Sequence, residues 1–405
     1  MEREVAVTGL GLLTPAGTDP DGICKTLAEG RSLAARNPAL AGLPVDISCN
    51  VTGFDARAEL GVRLARRLDR FTHLGLAAAR RAVHDAGLEI TGALSHRVGV
   101  VLGVGSNSLL TYVAEFTRLG EGRPETVSPL ALTRSVPSMV AGEIAVDVGA
   151  RGPNFTVSSA CASGTTALGV ARGMLLDGQC DVVLAGGSDA WSPMTATCFS
   201  QMRALSKRCD RPDLASRPFD QGRDGFVLGE GAAVLVLERP AHARARRARV
   251  RAMLCGYGAS ADAYHPTAPR PDGQGAEQAV RQALGQAGCR PGVIGHVNAH
   301  GTSTRLGDAA EAVMLRRVFP DGPPVTANKS IVGHALGAAG AIEAAFTVLA
   351  LERQEVPPTA NLVAQDTGYE LDIVTRRPRR VTHDYALSTS FGFGGQNAAL
   401  VFARA

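Results

Sequence analysis

Residues 154–190, NFTVSSACASGTTALGVARGMLLDGQCDVVLAGGSDA, decide the fold. Residues 154–160 read as a buried strand, 162–177 as a helix, and 181–189 as a second strand. Such a strand–helix–strand unit is the repeating piece of a layered α/β protein. Ala162, Ser163, Gly164, Ala167 and Gly169 crowd the early helix with small side chains, which lets it pack deep inside the molecule. Cys161 stands at the junction of strand and helix. Unpaired backbone N–H groups and the positive helix end favour a thiolate there, lowering the thiol pKa from about 8.5. The alternative is a buried structural cysteine.

Working outward, strand-like runs recur at 4–11, 97–105, 231–238, 296–302, 323–330, 385–393 and 398–404. Helical patterns lie between several of them, at 73–86, 274–287, 307–318 and 338–352. The charged stretch PAHARARRARVR, 240–251, marks a boundary between residues 1–245 and 246–405, and its arginines read as surface charge. Each half closes on a pair of strands, FVLGEGAAVLVLE at 226–238 and YALSTSFGFGGQNAALVF at 385–402. That is a duplication of topology without a repeat in sequence.

The 405 residues are 45% hydrophobic and 20% charged, ordinary for a soluble globular protein. No basic-then-apolar leader opens the chain and no apolar run is long enough to span a membrane. Eight scattered cysteines without CxxC spacing suit free thiols in a reducing cytoplasm, with neither disulfides nor zinc. A net charge of +4 gives nucleic-acid binding no support. Lys25, Lys207 and Lys329 are the only lysines among many arginines, which singles out Lys329 for a role a guanidinium cannot take.

Three further stretches join Cys161. In VNAHGTSTRLGDAAEA, 297–312, His300 ends an apolar strand and precedes a turn rich in hydroxyls; it enters a cleft or caps a loop. In NKSIVGHALGAAGAIEA, 328–344, Lys329 and His334 precede a helix of small residues able to pack on the Cys161 helix. An imidazole near a helix N-terminus stays neutral, and Glu343, buried among alanines, needs a cation such as Lys329; the pair is catalytic or merely structural. In STSFGFGGQNAALVF, 388–402, glycines around Phe391 and Phe393 let backbone amides approach a reacting group. No Walker or dinucleotide spacing accompanies them. A nucleophile, neutral donors and an amide-rich turn are the parts of acyl transfer through a thioester.

SSACASG (158–164), SRPFDQGRDGFVLGEGAAVLVLE (216–238), VNAHGTST (297–304), NKSIVGHALGAAG (328–340) and FGFGG (391–395) resemble, in order and spacing, the β-ketoacyl-acyl-carrier-protein synthases of the thiolase superfamily. The resemblance runs from VAVTGLGLLTPAG (5–17) to the C-terminal strands. It implies a five-layered αβαβα fold of two similar halves and a dimer, of two copies or with a ketosynthase-like sister. It implies decarboxylative Claisen condensation of an acyl thioester with malonyl carrier, in fatty-acid or type II polyketide synthesis. No resident cofactor is implied, because phosphopantetheine arrives on the carrier protein.

By that resemblance Cys161 takes the acyl chain, and His300 and His334 bind the malonyl thioester carbonyl. Lys329 tunes the second histidine with Glu343 as its companion. Phe393 is the gating residue whose N–H joins that of Cys161 in an oxyanion hole. Thr302 and Thr304 follow the pantetheine arm, Tyr112 and Phe199 shape the acyl pocket, and Arg66, Arg67 and Arg203 dock the acidic carrier. Departures from the pattern are Tyr112, Arg305 where proline is common, Gln396 for threonine, and Asn328 and Val332 around Lys329. A non-catalytic chain-length factor is the competing reading, against which Cys161 stands. A degradative thiolase needs a second cysteine near the C-terminus, and the starter-condensing synthases carry asparagine where His334 is.

Overall fold

The computed structural model describes residues 4–106, 109–368 and 370–405. The central strands are β1 Val5–Leu13, β2 Val98–Gly103, β3 Asn154–Val157, β4 Val182–Asp189, β5 Gly231–Glu238, β6 Ala252–Ala261, β7 Ile294–Asn298, β8 Val325–Thr326, β9 Tyr385–Gly392 and β10 Gln396–Arg404. They pair in the order β8-β7-β9-β10-β6-β1-β5-β4-β2-β3. Counted within its own half, each set of strands reads 3-2-4-5-1. In both halves the first two pairings from the outer edge are parallel and the next two antiparallel. The halves join where Val5, Ala6 and Val7 face Leu254, Met253 and Ala252 in antiparallel register.

The helices that frame the sheet and the site are α1 Arg70–Asp85, α2 Leu109–Gly120, α3 Ser138–Val148, α4 Ser163–Leu176, α5 Pro193–Gln201, α6 Gln274–Ala287, α7 Arg305–Val318 and α8 Ala339–Arg353. Period-two alternation decides which layer each strand residue enters. On β4, Val182 and Leu184 pack under α1 and α3, while Val183 and Ala185 face α4 and α8. On the second half, Leu387, Ala399 and Val401 lie under α6 and α7, while Ala386, Leu400 and Phe402 turn to α4 and α8. The result is the αβαβα stack, with α4 and α8 as a middle layer shared by both halves.

The duplication extends to close packing. A Cβ on Gly9 or Gly11 of β1 would lie 2.4 Å from the Ala82 carbonyl or 1.8 Å from that of Ala78, both on α1. A Cβ on Gly256 or Gly258 of β6 would lie 2.0 Å from the carbonyl of Ala283 or Ala279, both on α6. The same device, glycines two apart on a first strand under alanines four apart on a helix, occurs in both halves. It also explains why β6 is absent from the strand-like runs of the sequence: AMLCGYGASA has glycines where a strand ordinarily carries branched side chains.

The reading of the 240–251 arginines as surface charge holds for the exposed Arg244, Arg247 and Arg249 but needs correction at Arg246 and Arg251. Arg246 bonds Glu238 and the Ala86 carbonyl, and Arg251, only 7% exposed, holds Asp85 at 2.7 Å and Glu352 at 2.9 Å. Arg251 thereby ties the ends of α1 and α8. Among the described residues no helix is long and apolar enough to cross a membrane.

Candidate active site

Cys161 sits on a sharp turn between β3 and α4, two residues before the helix begins. Ala160 before it takes a left-handed backbone, φ +49°, rare for a residue with a side chain. Ser163 stabilises the turn: its Oγ accepts from the Ser159 N–H at 2.9 Å and donates to the Ala160 carbonyl at 2.6 Å. Gly164 lets α4 meet α8, since a Cβ there would lie 2.7 Å from the Ala341 nitrogen. The close approach expected of these small residues is present.

A cavity of about 580 Å³ opens above the sulfur. Its walls include Cys161, His300, His334, Phe393, Phe199, Thr302, Thr304 and Arg203. The imidazoles of His300 and His334 meet edge to face, 5.6 Å between centroids and 87° between planes. Phe226 lies edge-on to His334 and Phe199 edge-on to both Phe226 and Phe393. The Phe393 N–H donates to the Cys161 sulfur. Gly392 permits that approach, for a Cβ on it would lie 2.8 Å from the Ser159 carbonyl.

Burial pushes the Cys161 thiol up to about 11, against the Lys329 ammonium and the Phe393 N–H, which hold it down. The lowered pKa expected from the helix end is therefore reversed. Cys161 precedes α4 rather than forming its first turn, and desolvation of a thiolate outweighs the dipole. Both histidines are held well below the usual imidazole range, first by burial and then by Lys329. They are neutral as expected, but for those reasons.

The Leu336 N–H donates to Nδ1 of His334 at 3.2 Å, which leaves the His334 proton on Nε2. Lys329 Nζ lies 3.2 Å from Nδ1 of His300, and an ammonium only donates, so His300 likewise carries its proton on Nε2. That ring also donates to the Phe391 carbonyl. Lys329 further donates to the His300 carbonyl at 2.7 Å and to Glu343. The lysine thus grips the first histidine, not the second: His334 takes its hydrogen bond from backbone, and Lys329 reaches it only through its charge. Burial lifts the Glu343 carboxyl to about 7 against the pull of Lys329.

Sequence reading passed over the acids that hold this site together. Glu311 accepts from the His300 and Gly301 N–H groups at 2.8 Å each, and Asp308 from those of Thr302 at 3.0 Å, Ser303 at 3.1 Å and Phe219 at 2.7 Å. Asp189 accepts from Gly105 at 2.9 Å and Gly337 at 3.0 Å, joining the β2 exit to the turn before α8. Their signal was available: Asp308 and Glu311 are acids three apart on a helix whose neighbours are alanines.

Other candidates fall elsewhere. Tyr112 does not line the cavity; it is half-buried on α2 and stacks on Phe116, one turn along the same helix. Arg67 is engaged with Glu143, whereas Arg66 is exposed and Arg203 stands exposed on the cavity wall.

Residues 2–243 match the family model for the β-ketoacyl synthase N-terminal domain, and 251–363 that for the C-terminal domain. The chain belongs to the β-ketoacyl synthase family. It is an acyltransferase, 41% identical to the 3-oxoacyl-[acyl-carrier-protein] synthase 2 of Vibrio harveyi over 99% of this chain and 98% of that one. A β-ketoacyl synthase from Burkholderia phymatum STM815 superposes with a TM-score of 0.93 at 35% identity, each chain covered completely. The ishigamide ketosynthase/chain length factor gives 0.93 at 32% identity, again over the whole of both chains. A type II polyketide ketosynthase solved in complex with its acyl-carrier protein, bound to the hexaketide, gives 0.92 at 29% identity over the same extent.

Proposed function

We propose that this synthase extends an acyl chain by two carbons from a malonyl group borne on an acyl-carrier protein, with Cys161 as nucleophile. The carrying observation is the single cavity that holds the Cys161 sulfur, the Phe393 N–H and two neutral imidazoles. In the first half-reaction the sulfur attacks the acyl thioester. The carrier thiolate leaves and takes up the proton that the cysteine gives up. The N–H groups of Cys161 and Phe393 receive the tetrahedral oxyanion.

Malonyl thioester then enters, and the Nε2–H groups of His300, which exchanges the Phe391 carbonyl for the substrate, and of His334 donate to its carbonyl oxygen. Loss of carbon dioxide leaves an enolate, which the two donors stabilise without a proton transfer. Its carbon attacks the acyl-cysteine, the new carbon–carbon bond forms as the carbon–sulfur bond breaks, and the Cys161 thiolate that leaves takes a proton from solvent. Lys329 holds His300 in the donating tautomer, and Thr302 and Thr304 line the pantetheine arm. No resident cofactor is needed, since the phosphopantetheine comes with the carrier.

The partner is a chain of the same fold. Strand β3 is a sheet edge with Asn154 and Phe155 exposed, and α2 exposes Leu110, Val113, Phe116 and Leu119. A reducing cytoplasm suits eight cysteines that are all free.

Intact mass after incubation with acyl-carriers of graded length tests the reading. A single acyl adduct is expected, lost in Cys161→Ala; an adduct that persists in that variant would refute the assignment. In His300→Ala and His334→Ala, malonyl decarboxylation should fall at least tenfold further than acylation, and equal losses would contradict the division of labour.

A further inference from the structure

Most guanidiniums around the Cys161 cavity are committed. Arg270 is bound to Asp272, Arg208 faces Asp224, and the buried Arg223 holds Asp366 and lies against Asp308. Two on the cavity wall differ. Among the described residues, neither Arg203 nor Arg305 has a carboxylate partner, and both are exposed. Arg305 spends one nitrogen, its Nε, on the Arg223 carbonyl at 3.3 Å, leaving the two terminal nitrogens uncommitted.

The backbone under Arg305 is fixed. Arg223, 4% exposed, donates from Nε to the Thr304 carbonyl at 3.1 Å and from a terminal nitrogen to the Arg305 carbonyl at 2.9 Å. Thr302 and Thr304 stand on the same wall, their hydroxyls 2.9 Å apart. The wall therefore runs from two reacting imidazoles, past two hydroxyls, to an uncommitted guanidinium at the solvent end. A ligand suited to it has a thioester at one end, an amide-rich middle and an anion at the other.

We infer that Arg305 binds the phosphate of the phosphopantetheine arm, a contact absent from relatives with proline at this position. The inference rests on the acyl-transfer reading above and adds to it a specificity residue of the arm itself, separate from docking of the carrier's protein surface. Arg203, also on the cavity wall and exposed, supplies a second positive charge. A planar, weakly hydrated guanidinium with two free donors suits a phosphate that stays partly solvated.

The test compares three acyl donors of equal chain length: an acyl-pantetheine, an acyl-phosphopantetheine and the acyl-carrier. Wild-type enzyme should prefer the phosphorylated small donor in KM, and Arg305→Ala should shrink that preference roughly three- to tenfold with kcat little altered. Arg305→Lys should keep part of it, and added salt should erode it. Arg305→Pro, a residue that fits the first position of a helix, should behave as the alanine variant and guards against a folding artefact. An unchanged preference in both variants overturns the inference. So does a loss confined to the carrier-borne donor, which would assign Arg305 to protein docking. Wild-type enzyme that accepts an acyl group from none of the donors would instead fail the acyl-transfer reading, and is told apart by the missing mass adduct.

Discussion

At the scale of single residues, the site works by setting charges against burial. The Cys161 thiol is surrounded by enough protein to stay protonated at neutral pH, with Lys329 the strongest influence in the other direction. Because a raised pKa leaves little thiolate below it, alkylation of Cys161 by iodoacetamide should rise about tenfold per pH unit and level off only near pH 11. A profile levelling near pH 8 would show that the helix end dominates after all. Lys329→Met should push that profile higher still and free Nδ1 of His300, so that malonyl decarboxylation drops roughly a hundredfold. A variant with normal decarboxylation would leave Lys329 only its pairing with Glu343. The identity of these groups was legible in the sequence because each sits at a strand end or turn. Their ionisation was not: it depends on how much protein lies around them, which no local spacing reports.

At the scale of elements, the strands of the central sheet that could be read were those rich in branched residues, and the one of those ten that could not was β6. Gly256 and Gly258 remove the very side chains by which a strand is recognised, since α6 lies so close that its carbonyls occupy their Cβ positions. The matched pair on β1 escaped that fate because Val5, Val7, Leu10 and Leu12 surround its glycines. Helix α6 itself was legible to its ends, for its apolar stripe is continuous. Close backbone contact of this kind is intolerant of a single methyl. Gly258→Ala should destabilise the protein by about 3 kcal/mol or more in chemical denaturation. Gly120→Ala, at the end of α2 where a Cβ meets nothing within 4 Å, should be neutral or stabilising. Equal effects at the two positions would mean that helix and strand part easily.

At the scale of the whole molecule, the two halves repeat one topology yet do not divide the core between them. Leu235 and Leu237 of the first half and Leu400 and Phe402 of the second enter one buried cluster, with α4 from the first half and α8 from the second filling the space between. The sheets also share backbone hydrogen bonds where β1 meets β6, and Arg251 joins Asp85 to Glu352 across the same seam. A boundary near residue 245 is therefore a boundary in topology alone. Cutting there would strip α4 of its partner α8 and leave the edge of β1 open, exposing a continuous apolar face. Residues 1–245 expressed alone should aggregate or remain without a cooperative thermal transition, whereas the full chain should unfold in one. Arg251→Met tests the seam more gently. It takes the cation from Asp85 and leaves Glu352 only the exposed Arg249, so it should cost about 3 kcal/mol and lower Tm by several degrees. Because Arg251 lies away from the cavity walls, turnover of the folded enzyme should stay near wild type. An Arg251→Met protein as stable as its parent would assign the joining of the halves to the apolar middle layer alone, and a soluble, cooperatively folding 1–245 fragment would show that even that layer is not shared of necessity.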